Sequence, residues 1–275
     1  MKLYIAADME GVAGVVSPAQ IGDGDSSEIG QARRQFTDEV NAVCAGALEA
    51  GIEEIYVNDF HGNGRNLLIE LLPPSVTLIR GGFRPTAGFD QLDQTFCGLV
   101  LLGAHARSGS RDGVIPHTYS DRLRFELFGS PIGEFDVLSL VAGERKVPTI
   151  LVSGDSKTIE QVNTNMPSAP TVITKYPIGV RSAACIHPKR VCDALKEEIK
   201  RAIKGASAME PPLIAPPLQL GIRVTDMTLI DRISWIPKMT RSGDDTFEFV
   251  AESAVQMAEV IYGITLLTTP GNSYS

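Results

Sequence analysis

The sequence predicts an α/β fold, a mostly parallel sheet flanked by helices, with a smaller C-terminal α+β subdomain, and two observations carry that expectation. Short β-rich runs alternate with amphipathic helical stretches as far as Gly205, which is the pattern of βαβ units. The segment Glu210-Pro211-Pro212-Leu213-Ile214-Ala215-Pro216-Pro217 then breaks the alternation, because proline has no amide hydrogen to give to a helix or a central strand. The expected division is a larger α/β domain over residues 1–207 and a smaller one over 218–275.

Leu3 to Ala7 is an apolar run of strand length that ends at Asp8. A helix is expected from Gln31 to Ala50, where Phe36, Val40, Val43, Ala47 and Ala50 recur at spacings of three and four. Gly51 stands where a left-handed C-terminal cap belongs. Next come a strand at Ile55 to Asn58, a short helix at Leu67 to Leu72, a strand at Leu99 to Leu102 and a helix from Ile132 to Arg145. Thr149 to Val152, Lys157 to Asn165 and Thr171 to Lys175 continue as strand, helix and strand, with Ser153-Gly154-Asp155-Ser156 as a turn and N-cap; Asp155 is held as a reserve site residue. His187-Pro188 opens another helix, with Val191, Leu195, Ile199 and Ile203 on one face and Gly205 as its stop, so His187 has a structural explanation. Beyond the prolines, Leu218 to Val224 and Met227 to Ile236 have strand or mixed character, and Phe249 to Leu267 has helical spacing. Gly271 to Ser275 is expected to be loose.

Composition narrows the function classes. With 43% hydrophobic and 21% charged residues the 275-residue chain is globular, and at this length about three quarters of the unfolded surface is buried without disulfide staples. A net charge of −8 and the lack of any Lys/Arg-rich run argue against nucleic acid as a partner. No apolar run reaches the roughly 18 to 20 residues of a membrane helix, and Met1 to Asp8 lacks the basic and apolar regions of a signal peptide, so a cytoplasmic location is expected. Cys44, Cys97, Cys185 and Cys192 form no C-x-x-C pair, which suits reduced thiols, mostly buried and inert.

The residues with chemistry follow the strands. If the extended conformation continues past the first strand, Asp8 and Glu10 fall on one face, and two converging carboxylates call for a compensating charge such as a divalent cation. Asn58-Asp59-Phe60-His61 and Gly103-Ala104-His105 end the next two strands, which puts His61 and His105 at the sheet edge where α/β folds hold ligands. Glu134, at the first turn of a helix, is in a position to reach back as a fifth ligand. Taken singly, each has a plainer role: Asp8 and Glu10 as loop or capping carboxylates, Glu134 as a favourable charge at a helix N-terminus, each histidine as a structural group. The chain has only four histidines, two directly after predicted strands and a third, His117, in a loop just beyond, which favours the joint reading. Mixed carboxylate and imidazole donors suit zinc, manganese or another borderline metal, and the absence of thiolates speaks against a structural zinc knuckle. Arg107 and Asp59 are candidates for the groups that orient the imidazoles. Gly62-x-Gly64 and Gly81-Gly82 lack the context of a phosphate cradle, and there is no G-x-S-x-G elbow.

Asp8-Met9-Glu10-Gly11, Asn58-Asp59-Phe60-His61, Gly103-Ala104-His105-Ala106-Arg107, His117 and Gly133-Glu134, in this order and spacing, resemble the bacterial zinc-dependent D-aminopeptidase family over most of residues 1–190. Val141-Ala142-Gly143, Val147-Pro148, Ser153-Gly154-Asp155 and Arg181-Ser182-Ala183 resemble it as well, whereas the likeness is looser after the prolines. The resemblance implies a centre of two zinc ions per subunit, with Asp8 bridging, Glu10 and His105 on one ion, and His61 and Glu134 on the other. It makes His117 the counterpart of the family's proposed nucleophile; a proton donor and oxyanion stabiliser is the expected role here, since neutral imidazole is the poorer acyl acceptor beside a binuclear centre. It further implies release of N-terminal D-residues from short peptides by subunits assembled into a ring-like decamer. Phe60 and Pro116 depart from the family pattern, beside His61 and His117. A metallohydrolase of another amide or a phosphoester, and a metal-dependent peptide-binding protein without catalysis, remain the alternatives.

Overall fold

The structure, a computed structural model, describes residues 1–22, 26–82 and 84–268. The elements run β1 (Lys2–Ala7), α1 (Ser27–Glu49), β2 (Glu54–Asp59), β3 (Val76–Ile79), β4 (Phe96–Ala104), β5 (Leu123–Leu127), β6 (Ser130–Ile132), α2 (Glu134–Glu144) and β7 (Thr149–Asp155). They continue as α3 (Ser156–Asn165), β8 (Thr171–Gly179), β9 (Ser182–Cys185), α4 (Pro188–Gly205), β10 (Leu218–Val224), α5 (Ile230–Ser234), β11 (Thr240–Arg241), β12 (Thr246–Ala251) and α6 (Ala254–Thr268).

Seven strands form the main sheet in the order β3-β2-β1-β4-β7-β8-β9, parallel except for the edge strand β9. Helices α1 and α4 cover one face: Phe36, Val40, Val43, Leu195 and Ile199 pack there against Leu3, Ile5, Val100 and Ile150. Alternation of inward residues along each central strand produces this division, since Tyr4, Ala6, Leu99 and Leu101 point instead to the opposite face, under α2 and α6. Strands buried on both faces read as continuous apolar runs, which is why β1, β4 and β7 were visible in sequence. Gly51 has φ +92°, the left-handed stop that its position after α1 predicts.

The second sheet has the order β11-β12-β10-β5-β6, with antiparallel pairing at each junction. Residues 218–275 therefore do not build their sheet alone, because β5 and β6, inserted between β4 and α2, complete it. Its inner face, with Phe125, Leu220, Ile222, Phe247 and Phe249, joins α2 and α6 in the same apolar core as the main sheet. Glu144 at the end of α2 accepts the Ala254 amide at the start of α6 at 2.6 Å, fastening the two helices end to end.

Several local expectations change. Leu67 to Leu72 forms only a single 3-10 turn at Ile69–Leu71, and Met227–Ile236, expected as strand or mixed structure, forms a 3-10 turn followed by α5. Phe249 to Ala251 belongs to β12, whose alternating burial carries the period of two; the helix begins at Ala254. Of the cysteines, all free, only Cys44 is fully buried and Cys185 is exposed. The tail expected to be loose, Gly271 to Ser275, lies outside the described residues. No helix among the described residues is long and apolar enough to cross a membrane.

Candidate metal centre

Parallel pairing brings the carboxyl ends of β1, β2 and β4 level, with Ala7 paired to both Asp59 and Leu102. Asp8, His61 and His105 therefore leave the sheet at one edge, where open α/β sheets form their ligand crevice. The chain after β1 is pressed onto the end of β4: Asp8 N–H donates to the Leu102 carbonyl at 2.9 Å and Gly11 N–H to the Gly103 carbonyl at 2.7 Å. A Cβ at position 11 would lie 2.1 Å from the Ala104 carbonyl oxygen, so only glycine permits this approach.

All six predicted residues meet there. His61 Nδ1 is 3.0 Å from Asp8 Oδ1 and 2.9 Å from Glu10 Oε2. His105 Nε2 is 3.4 Å from Asp8 Oδ2 and 3.3 Å from Glu134 Oε1. His117 stacks on His105 with ring centroids 4.0 Å apart, and its Nε2 is 3.7 Å from both Glu10 Oε1 and Glu134 Oε1. Glu134 is the first residue of α2, where the helix dipole favours its charge, and it also accepts the Tyr119 amide at 2.6 Å.

The three imidazoles share one arrangement. Each turns one ring nitrogen to a backbone carbonyl: His61 Nε2 to Ile21 at 2.8 Å, His105 Nδ1 to Ala106 at 3.1 Å, His117 Nδ1 to Ile115 at 3.0 Å. A carbonyl only accepts, so the proton of the neutral ring sits on that nitrogen and the lone pair of the other faces carboxylate oxygens. Lone pairs facing anions repel unless a cation lies between them or the ring gains a proton. Glu10 Oε2 and His105 Nε2 are moreover buried without a hydrogen-bond partner, a condition that is costly unless something else satisfies them. The orienting groups expected at Asp59 and Arg107 are thus backbone carbonyls instead. Asp59 accepts from Asn66 N, Asn66 Nδ2 and Leu67 N and shapes the His61 loop, where Asn66 Nδ2 donates to the His61 carbonyl.

The electrostatics express the same shortage of positive charge. Burial opposes a charge on His105, yet Glu134 and Asp8 carry its pKa up to about 10, and Glu10 with Asp8 raises His61 against the same penalty. Burial and the Glu10 carboxylate push Asp8 up to about 7. Glu10 and Glu134 stay below the usual carboxylate range, since His61 and His105 outweigh their desolvation. His117 is lowered, by burial and by the neighbouring His105. Donor atoms of Asp8, Glu10 and His61, of Asp8, His105 and Glu134, and of Glu10, His105 and His117 form three groups, each within 4.8 Å. The first two share Asp8 through its separate oxygens. The shortest contacts pair Glu10 with His61 at 2.9 Å and Glu134 with His105 at 3.3 Å, while Glu10 also groups with His105 and His117; the resemblance implies Glu10 with His105 on one ion and His61 with Glu134 on the other.

Two further groups were not legible in the sequence. Lys175, fully buried on β8, donates to the carbonyls of Glu10, Val12 and Val15, and Glu39 of α1 accepts the Ala13 amide at 2.8 Å. They hold the loop that carries Glu10, and neither follows a motif. Asp155 is the N-cap of α3 and accepts the Val114 amide at 2.9 Å, anchoring the loop that leads to His117. His187 caps α4, accepting from Lys189 N. The centre opens into a cleft of about 460 Å³ whose walls include Phe60, Tyr119, Tyr262 and Leu266, so α6 bounds the site.

Three carboxylates and three imidazoles without a thiolate are the donor chemistry of metal-dependent hydrolases, and the partnerless buried atoms at their centre fit a divalent cation. The chain belongs to the peptidase M55 family, described as D-aminopeptidase, whose profile matches residues 1–262. It is 29% identical to the D-aminopeptidase of Bacillus subtilis (strain 168) over 271 residues, 97% of each chain. It is also similar, at TM-score 0.94 and 27% identity over 99% of both chains, to the solved structure of the Zn-dependent D-aminopeptidase DppA from Bacillus subtilis, a self-compartmentalizing protease. The likeness thus continues past the proline-rich segment, through the second sheet and into α6.

Proposed function

We propose that this protein is a zinc-dependent aminopeptidase that hydrolyses N-terminal D-residues from short peptides at a binuclear centre. The observation that carries the proposal is the pair of donor groups that share Asp8, one oxygen to each, with imidazole lone pairs aimed inward. Asp8, Glu10 and His61 would hold one ion, and Asp8, His105 and Glu134 the other. Bound zinc supplies Lewis-acid polarisation of a carbonyl and a lowered pKa for water.

The chain's own residues do the rest. The three negative charges of Asp8, Glu10 and Glu134 would be offset by the two zinc ions they hold, so these carboxylates fix the metals in the crevice rather than leave it negative. His117, with Nδ1–H held by the Ile115 carbonyl, keeps Nε2 free towards the centre, where it takes a proton from the attacking water and delivers it to the leaving amine. Phe60, Tyr119, Tyr262 and Leu266 give the first side chain an apolar wall. A ring-like decamer and a cytoplasmic setting belong to the same proposal; the self-compartmentalizing relative and the free cysteines support them.

The test is release of alanine from D-Ala-D-Ala and L-Ala-L-Ala by zinc-loaded protein, with a chelated control. Chelator-sensitive release from the D form is expected. Release from the L form alone would overturn the stereochemistry, and faster turnover of a phosphoester than of either peptide would overturn the peptidase reading.

A further inference from the structure

A second cleft, of about 560 Å³, lies beyond the first, and the two share Glu10, His117 and Tyr119. His117 therefore stands on a divide with open space on either side. The two sides differ in charge. The first contains Asp8, Glu10, Asp59 and Glu134 beside Arg65 and Arg84, whose guanidinium is taken up by Asn58 and the Asp59 and Gly81 carbonyls, whereas the second has Glu10 and the exposed Asp121 against Arg122 and Arg181.

The two arginines are not equivalent. Arg122 Nη1 is 3.7 Å from Asp226 Oδ2, and its Nε is 4.0 Å from Asp121 Oδ1. Arg181, in the turn between β8 and β9, is exposed and has no ion-pair or hydrogen-bond partner for its side chain among the described residues. Its position is nonetheless tied to the site, because the neighbouring Val180 carbonyl accepts the Ile115 amide at 2.9 Å, two residues before His117.

We infer that the second cleft receives the part of the peptide beyond the scissile bond and that Arg181 binds its free C-terminal carboxylate. The inference rests on the aminopeptidase reading, and it sets the polarity of the substrate. The N-terminal residue takes the cleft with the metal donors, the scissile bond lies at His117, and the carboxylate end takes the side with Arg181, whose guanidinium is a planar fork that matches a carboxylate. Such recognition selects short peptides that end in a free acid.

The experiment compares D-Ala-D-Ala with its C-terminal amide, using the zinc-loaded wild type, Arg181→Ala, Arg181→Lys and Arg65→Ala; Arg65 lies on the opposite cleft. The wild type is expected to favour the acid. Arg181→Ala should raise KM for the acid roughly 10- to 100-fold, the usual weight of a charge-assisted hydrogen bond, with kcat and the amide's KM changed little. Arg181→Lys should recover part of the preference. Equal losses on acid and amide, or no change in either, would overturn the inference, as would an acid-selective loss in Arg65→Ala instead. Wild-type protein that turns over neither peptide would overturn the aminopeptidase reading itself, a result distinct from turnover without acid preference.

Discussion

Two clusters of charge lie within about one loop of each other in this protein, and they are built on opposite terms. Around Lys175 the interior charge is answered by the chain: its ammonium meets three backbone carbonyls, with the Asp155 and Glu39 carboxyls nearby. Around Asp8 the chain supplies three carboxylates and three imidazole lone pairs, and leaves Glu10 Oε2 and His105 Nε2 without partners. In the first cluster the Lys175 ammonium has its acceptors in the protein alone and holds the Glu10 loop in shape, although Glu39 Oε2 beside it has no hydrogen-bond partner. The second is complete only with added positive charge. A buried group that has every partner argues for architecture, and one held in place but left without partners argues for a ligand.

That contrast can be broken most directly at Asp8, which both donor groups share. Asp8→Asn should lose zinc at both positions and lower turnover well beyond the roughly 10- to 100-fold typical of losing an outer partner. Elemental analysis beside the alanine-release assay checks it, and full zinc content in the variant would refute the shared role. His117→Ala should lower kcat about 10²- to 10⁴-fold while zinc content stays at the wild-type level. A parallel fall in zinc would make His117 a ligand, as its grouping with Glu10 and His105 allows.

The Lys175 cluster should respond in stability rather than chemistry. Lys175→Met leaves three buried carbonyls without their donor and is expected to cost about 3 to 5 kcal/mol, as when one partner of a buried charged set is removed. Urea unfolding of chelator-treated protein measures it, and a loss under about 1 kcal/mol would contradict the proposed completeness of that cluster.

Glu39 offers the smallest and most specific effect. Burial pushes its carboxyl from 4.5 up to about 7 against the hydrogen bond from Ala13 and the pull of Lys175. Between those values the folded state holds a proton that the unfolded state has released. Its contribution is therefore fully present below about pH 4.5 and is lost as pH rises towards 7, by up to about 3 kcal/mol. Glu39→Gln keeps an acceptor for the Ala13 amide and removes the ionisation, so the wild-type stability relative to the variant should decline with pH across that interval. A difference that is flat with pH would show that Glu39 ionises freely.

How much was legible in the sequence depends on what each element needed. The parallel strands were visible because burial on both faces makes them continuous apolar runs, and α1 was visible because its inward face recurs every three or four residues before Gly51. β5, β6 and β12 were missed because they are short and depend on partners: β5 pairs with β10 across about ninety residues, β6 pairs with β5, and β12 pairs with β10. The six centre residues were legible because five of them follow a strand end or open a helix, places the topology brings to one edge.

The sequence by itself determined which donors the chain has and that three strand ends present them, since burial periodicity and strand ends are local properties. Tertiary structure alone decided which donors lie closest, because the contacts of Glu10 with His61 and of Glu134 with His105 depend on distances between separate elements. It also brought Lys175 beneath the Glu10 loop, α6 against the cleft and Arg181 beyond His117. None of these has a local signature: the residues are remote in sequence, and packing of the layers sets their distances.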